Sequence, residues 1–175
     1  MEYGSRRVPT HDLEATIREA TAADADAVVS LVEEVGSERR WIASEPPYDT
    51  AQRRREWLED LGTATTAFVA ECEGELVGEL SLWKGEPGTL GLGMVVREGY
   101  RRRGIGSALM RAALEAARSL DGIGAIELAV FPDNAAALAL YRRHGFVEVA
   151  FKERVVPRRD GEAWDAILMR LELAG

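Results

Sequence analysis

The sequence predicts an α/β domain of layered type, with a mixed and mostly antiparallel central sheet of about seven strands flanked by about four helices. Short runs of alternating apolar residues, such as Phe68, Ala70 and Cys72, read as half-buried strands. Helical spacing falls between such runs, most clearly over residues 104–119 and just beyond, where Ile105, Leu109, Ala112, Ala113, Ala116 and Leu120 keep three- and four-residue steps. The chain has 175 residues, 46% hydrophobic and 30% charged, which suits one globular domain.

The elements follow in order. Residues 1–15 mix charge and proline without an apolar core, so an N-terminal extension without a secretory signal is expected, followed by a single domain over 16–173. A short strand near Thr16 to Glu19 leads to Thr21-Ala22-Ala23-Asp24, a capping-box start for a helix through about Val35 that Gly36 should stop. A loop over 37–49, with Pro46-Pro47, precedes a second helix at 50–61. Thr65 to Glu73 and Glu75 to Lys84 read as a hairpin around Gly74, with Leu76, Gly78, Leu80 and Leu82 on one face and Glu79 beside Val77 and Ser81 on the other. Later come a strand over 125–131, a helix capped by Asn134 and ended by Gly145, and a last hairpin formed by 146–156 and 163–171.

Between strand and helix lies Val95-Val96-Arg97-Glu98-Gly99-Tyr100-Arg101-Arg102-Arg103-Gly104-Ile105-Gly106-Ser107. Residues 97–103 carry four arginines and one glutamate in a chain whose formal net charge is −8, so positive charge is concentrated there. First-turn backbone N–H groups lack helical partners and sit at the positive end of the helix dipole, and Gly104 and Gly106 let a ligand approach the backbone. The turn therefore suits a polyanion, although a Gly-x-Gly corner with solvated arginines has the same composition. Two glycines in the preceding strand, Gly91 and Gly93, suggest a bulge or a close backbone approach.

Arg101-x-x-Gly104-x-Gly106 after an apolar strand, followed by Asn134 and by Leu140-Tyr141-x-x-x-Gly145-Phe146, resembles the GCN5-related N-acetyltransferase (GNAT) superfamily. The resemblance implies that fold, with a splayed parallel strand pair, and an enzyme that moves an acetyl group from acetyl-CoA to a primary amine by direct attack on the thioester. It implies a cofactor site made of Met94, Val95, Val96, Arg101, Arg102, Arg103, Gly104, Ile105, Gly106, Ser107, Asn134 and Tyr141. The turn would bind the pyrophosphate, and N–H groups near Met94 to Val96 would face the thioester oxygen. Tyr141 would protonate the leaving thiolate, since a phenol with a pKa of about 10 keeps its proton near neutrality.

The base is open. Where members that acetylate ribosomal-protein N-termini often carry a glutamate, five residues before the asparagine, this chain has Ala129. Glu79 and Glu127 are the candidates, and each equally fits a solvated or ion-paired carboxylate. His144, near a helix end, suits a cationic cap. The acceptor pocket implied by the resemblance draws on the loop between the first two helices and on the last hairpin, which makes Trp41, Glu45, Tyr48 and Trp164 the candidate contacts. The acceptor is a small-molecule amine or a peptide N-terminus.

A sequence pI of about 4.9 speaks against a nucleic-acid partner despite Arg53 to Arg55 and Arg101 to Arg103. No apolar run is long enough to span a membrane, a single cysteine cannot form an internal disulfide, and no Cys/His cluster suggests a metal. A cytoplasmic location is expected, and a homodimer is left open. The competing reading is a catalytically silent acyl-CoA-binding regulatory module, which Tyr141 speaks against. A dinucleotide fold is disfavoured because the glycine turn follows several strands and lacks the full Gly-x-Gly-x-x-Gly pattern.

Overall fold

The computed structural model describes residues 4–10 and 13–173. Its strands are β1 (Arg6–Thr10), β2 (Leu13–Glu19), β3 (Thr65–Cys72), β4 (Glu75–Lys84), β5 (Thr89–Val96), β6 (Ala125–Val130), β7 (Val147–Pro157) and β8 (Ala163–Glu172). Its helices are α1 (Ala25–Ser37), α2 (Thr50–Asp60), α3 (Ile105–Arg118) and α4 (Ala135–Arg143). All strands join one sheet in the order β1-β2-β3-β4-β5-β6-β8-β7. The eighth strand is β1, which pairs with β2 from Arg6↔Ile17 to Thr10↔Leu13, so part of the expected extension belongs to the sheet. Residues 1–3 and 11–12 of that extension lie outside the described residues.

The sheet separates two cores. On one face α3 and α4 cover Phe68, Leu80, Leu92, Ile126 and Met169, all nearly or fully buried. On the other, α1 and α2 cover Ala67, Val69 and Val95. Apolar burial on both faces drives this sandwich and fixes strand register, because a one-residue slip would turn each strand inside out.

β4 departs from simple alternation. Its pairing with β3 shifts between Ala70 and Glu71, so that Ala70 faces Gly78 and Glu71 faces Leu76. Val77 is the extra residue and packs with Gly78 into the α3-side core, while Leu76 turns to the α1 side. The expectation that Leu76 shares a face with Gly78, and Val77 with Glu79, fails at this bulge. Gly78 is needed there, since a Cβ would sit 3.1 Å from Leu109 and 3.2 Å from Ile105.

Gly36 does not stop α1, which runs on to Ser37. A Cβ at Gly36 would lie 2.4 Å from the Tyr48 hydroxyl and 2.7 Å from the Ser44 carbonyl oxygen, so the glycine lets the following loop fold against the helix.

The two glycines of β5 have a packing cause. β5 pairs with β4 without a register shift from Leu90↔Lys84 to Val96↔Gly78, so the expected bulge in β5 is absent. Instead the Trp83 indole lies across the strand: a Cβ on Gly91 would be 2.2 Å from its ring nitrogen, and one on Gly93 3.2 Å from its ring edge.

The parallel pair β5 and β6 is joined only over Thr89↔Ala125, Leu90↔Ile126 and Gly91↔Glu127. Beyond Gly91 the strands part, β6 continuing alongside β8 and β5 alongside β4. The Arg97 N–H donates to Val77 of β4, and backbone groups alternate along a strand, so those of Leu92, Met94 and Val96 point into the gap.

Candidate active site

The gap opens into a cavity of about 900 Å³ that passes through the sheet. Of the candidate residues named from the sequence, Met94, Val95, Val96, Arg101, Arg102, Gly104, Gly106, Ser107, Asn134, Tyr141 and Trp41 line it. Arg103, Ile105, Glu79, Glu127, Glu45, Tyr48 and Trp164 do not. Ile105 is 1% exposed and packs in the core, and Arg103 lies near Cys72 of β3, close enough to act on its thiol.

On the α3 side the wall is made of backbone and small side chains. Gly104 is the N-cap of α3 at φ +91°, a conformation that L side chains rarely adopt, and it supplies no capping side chain. The first N–H satisfied inside the helix is that of Ala108, which donates to Gly104 at 3.0 Å. The N–H groups of Ile105, Gly106 and Ser107 therefore remain available at the positive end of α3. A Cβ at Gly106 would come within 3.2 Å of Leu140 and 3.6 Å of the Met94 sulfur, so bulk there would narrow the cradle.

The arginines divide. Arg97 is held by Glu34 and Glu75, at 3.1 Å each. Arg101 donates through Nε to the Val96 carbonyl at 2.7 Å and through both other nitrogens to Glu38, a two-point clamp that ties the end of α1 to the end of β5. Much of the local charge seen in the sequence is thus neutralised. Arg102 and Arg143 line the cavity and form no ion pair among the described residues. Arg143 was not singled out by the sequence, although Ala136, Ala139, Leu140 and Arg143 share one helical face, a spacing that marks it.

Asn134 caps α4, accepting from the Ala137 N–H at 3.1 Å. Two turns on, Tyr141 is 7% exposed with its ring tilted against Phe146. Its hydroxyl makes no hydrogen bond to the described residues, and burial raises its pKa to about 12, so it stays protonated. His144 is not the expected cationic cap: burial lowers its basicity and the Arg111 and Arg143 charges push the same way.

The α1 side is different in kind. Trp41, Ile42, Trp83, Phe131 and Val156 line it. Phe131 is braced edge-on by Trp164, centroids 5.1 Å apart, so Trp164 stands behind the wall instead of in it. Arg158, only 5% exposed, lies 3.9 Å over the Trp164 ring and donates to the carbonyls of Ile42 and Ala43 at 3.2 Å each. Its ion pair with Glu45 at 3.1 Å, together with the Arg159 N–H donated to the other Glu45 oxygen and with Arg39 at 3.5 Å, consumes that carboxylate. Glu45 thus fastens the 38–49 loop to the last hairpin and does not face an acceptor. Tyr48 points to Gly36 and stacks under Arg53, whose guanidinium carbon lies 4.7 Å from the ring.

Of the two candidate bases, Glu127 is ion-paired to Arg170 on the surface and does not reach the cavity. Glu79 is 5% exposed behind the wall, opposite Val95 and accepting from the Ser81 hydroxyl. Burial raises its pKa to about 7, with the Ser81 hydrogen bond opposing the shift.

The family model described as "Acetyltransferase (GNAT) family" matches residues 28–146. An L-methionine sulfoximine/L-methionine sulfone acetyltransferase of Pseudomonas aeruginosa is 29% identical over 168 residues, covering 92% of this chain and 96% of that protein. The crystal structure of a ribosomal-protein-alanine N-acetyltransferase from Brucella melitensis superposes with a TM-score of 0.80 at 27% identity, covering 90% of this chain and 99% of the other. A phosphinothricin acetyltransferase from Sinorhizobium meliloti, solved with acetyl-CoA, shares the fold with a TM-score of 0.79 at 20% identity, over 91% and 89% of the two chains.

Proposed function

Since the chain belongs to the acetyltransferase (GNAT) family, we propose that its cavity takes the acetyl-CoA pyrophosphate on the α3 N-terminus and the thioester arm between β5 and β6, with the amine entering from the α1 side. The reaction is N-acetyl transfer from acetyl-CoA to a primary amine, and no metal takes part. The observation that carries the assignment of the site is the uncapped α3 N-terminus opening into a sheet gap with Tyr141 in its wall.

Acetyl-CoA supplies an activated thioester; this chain positions it and moves protons. N–H groups of Ile105, Gly106 and Ser107 donate to the pyrophosphate oxygens, with Arg102 and Arg143 as counter-charges. Arg101 acts through structure, holding the Val96 carbonyl and the end of α1. Backbone N–H groups of Met94 and Val96, turned into the gap, stabilise negative charge on the thioester oxygen. The Tyr141 hydroxyl gives its proton to the departing thiolate.

Glu79 is the proton acceptor for the incoming ammonium, relayed by water because it does not line the cavity. With a pKa near 7 it is partly ionised at neutral pH, so turnover rises with pH through that value. The acceptor is a small-molecule amine or a peptide N-terminus.

Thiol release from acetyl-CoA in the presence of amines tests the reading. Tyr141→Phe is expected to lower kcat by about 100-fold with acetyl-CoA affinity unchanged; undiminished kcat refutes the role of Tyr141. The reading also carries a cytoplasmic location and no nucleic-acid or membrane partner, supported by the net charge of −8 and by the absence among the described residues of any helix long and apolar enough to cross a membrane. A homodimer would form through the edge strand β7, whose Val147, Val149, Phe151 and Val155 are 49–61% exposed; sedimentation equilibrium giving a monomer at all concentrations refutes it.

A further inference from the structure

The α1-side wall carries information about the acceptor, and the inference drawn from it rests on the acetyl-transfer reading above. Trp41, Ile42, Trp83, Phe131 and Val156 form that wall without a titratable side chain among them. The charges behind it are committed to one another, and Arg40, whose guanidinium carbon lies 4.4 Å from the Trp41 ring centroid, adds a cation at its rim. Arg158 serves Glu45 and the Ile42 and Ala43 carbonyls, Glu45 serves three arginine residues, and Arg101 is clamped by Glu38. The Ile42 and Ala43 carbonyls accept from Arg158.

Trp83 is the most telling residue. It is 42% exposed, on the sheet face where the amine enters, and its indole is laid flat by two glycines that no other packing in β5 requires. A large aromatic held flat at a cavity wall and left accessible is a contact surface for an apolar or planar group. Phe131 is fixed from behind by Trp164, and Arg158 over Trp164 locks that pair in turn. The aromatic wall is therefore preorganised, which lowers the cost of binding a rigid apolar group.

We propose that the acceptor is an apolar primary amine, with an aromatic ring or branched aliphatic group one or two carbons from the nitrogen. A polyamine or aminoglycoside would bring further positive charges to a wall whose nearby carboxylate, Glu45, is already held by arginines, and burying an unpaired charge is costly. The apolar surroundings also favour the neutral amine, the form with a lone pair to attack, which fits a base no stronger than Glu79.

The test is thiol release by the full chain with acetyl-CoA and a panel comprising 2-phenylethylamine, leucinamide, phenylalaninamide, spermidine and kanamycin. The expected result is kcat/KM for the first three at least about ten-fold above the last two. Trp83→Ala should raise KM for 2-phenylethylamine about ten-fold, and Trp83→Phe should restore most of it, with the acetyl-CoA-induced rise in Tm unchanged in both. A preference for spermidine or kanamycin, or an unaltered KM in Trp83→Ala, overturns the inference while leaving acetyl transfer intact. Failure of acetyl-CoA to raise Tm, with no amine acetylated, overturns the acetyl-transfer reading and this inference with it.

Discussion

The two sides of the cavity solve opposite problems. On the α3 side, the groups that meet ligand are backbone N–H donors and small side chains, and their hydrogen-bonding capacity is left open: Gly104 provides no cap, and Arg102 and Arg143 have no ion-pair partner among the described residues. On the α1 side Arg158 and Glu45 are spent on each other and on the 38–49 loop, and the cavity surface is largely aromatic. Open donors suit an anionic ligand, whereas a saturated, stiff wall sorts ligands by shape and apolar area. The contrast fits the proposed entry of acetyl-CoA from the α3 face and of the amine from the α1 face.

That contrast can be broken at either side. The largest effect is expected for Arg158→Ala, which strands Glu45 in a buried position; chemical denaturation should show a loss of about 3 kcal/mol or more. If the α1-side charges are as fully committed as their contacts indicate, the variant also loses acceptor selectivity, because the Ile42 and Ala43 carbonyls are released. Glu79→Gln tests the buried carboxylate next. Its folded pKa of about 7 lies above the ordinary 4.5, so the folded state binds the extra proton and stability falls as pH rises from about 4.5 to about 7. Denaturation at pH 8 should find Glu79→Gln more stable than the native chain by up to about 3 kcal/mol, with no difference below pH 4.5. The same substitution should flatten the rise of turnover through pH 7. An unchanged pH–rate profile would remove Glu79 from the proton path, and an unchanged pH–stability profile would remove its raised pKa.

The same contrast sets how much was legible in the sequence. On the α3 side most residues named from the sequence meet at the cavity because they are local: a strand, a glycine turn and a helix start are contiguous, and their chemistry is backbone chemistry that glycine and Asn134 announce. Tyr141 needed only two helical turns from Asn134. What the sequence hid on this side was Glu38, a partner 63 residues away that takes Arg101 out of the free charge. The acceptor side is assembled from segments far apart in the chain, so its residue types were visible but their use was not. Glu45 and Tyr48 have the composition of a pocket for a cation, yet the fold spends them on Arg158 and on the close approach at Gly36. The glycines of β5 signalled a close approach correctly; the approaching group is Trp83, and no periodicity in β5 could name it. The bulge at Val77 escaped because a valine gives no sign that it is the extra residue.

If the first turn of α3 is the anion cradle for acetyl-CoA, thermal unfolding responds to the ligand. At a ligand concentration about 100 times Kd, linkage gives about 2.7 kcal/mol, or about 6 °C in Tm for a chain of this size. The native chain should show that rise with both acetyl-CoA and CoA, and Gly106→Val, folded with a similar ligand-free Tm, should show almost none. A native chain that acetyl-CoA leaves unshifted, or a Gly106→Val variant that shifts equally, would rule that cradle out.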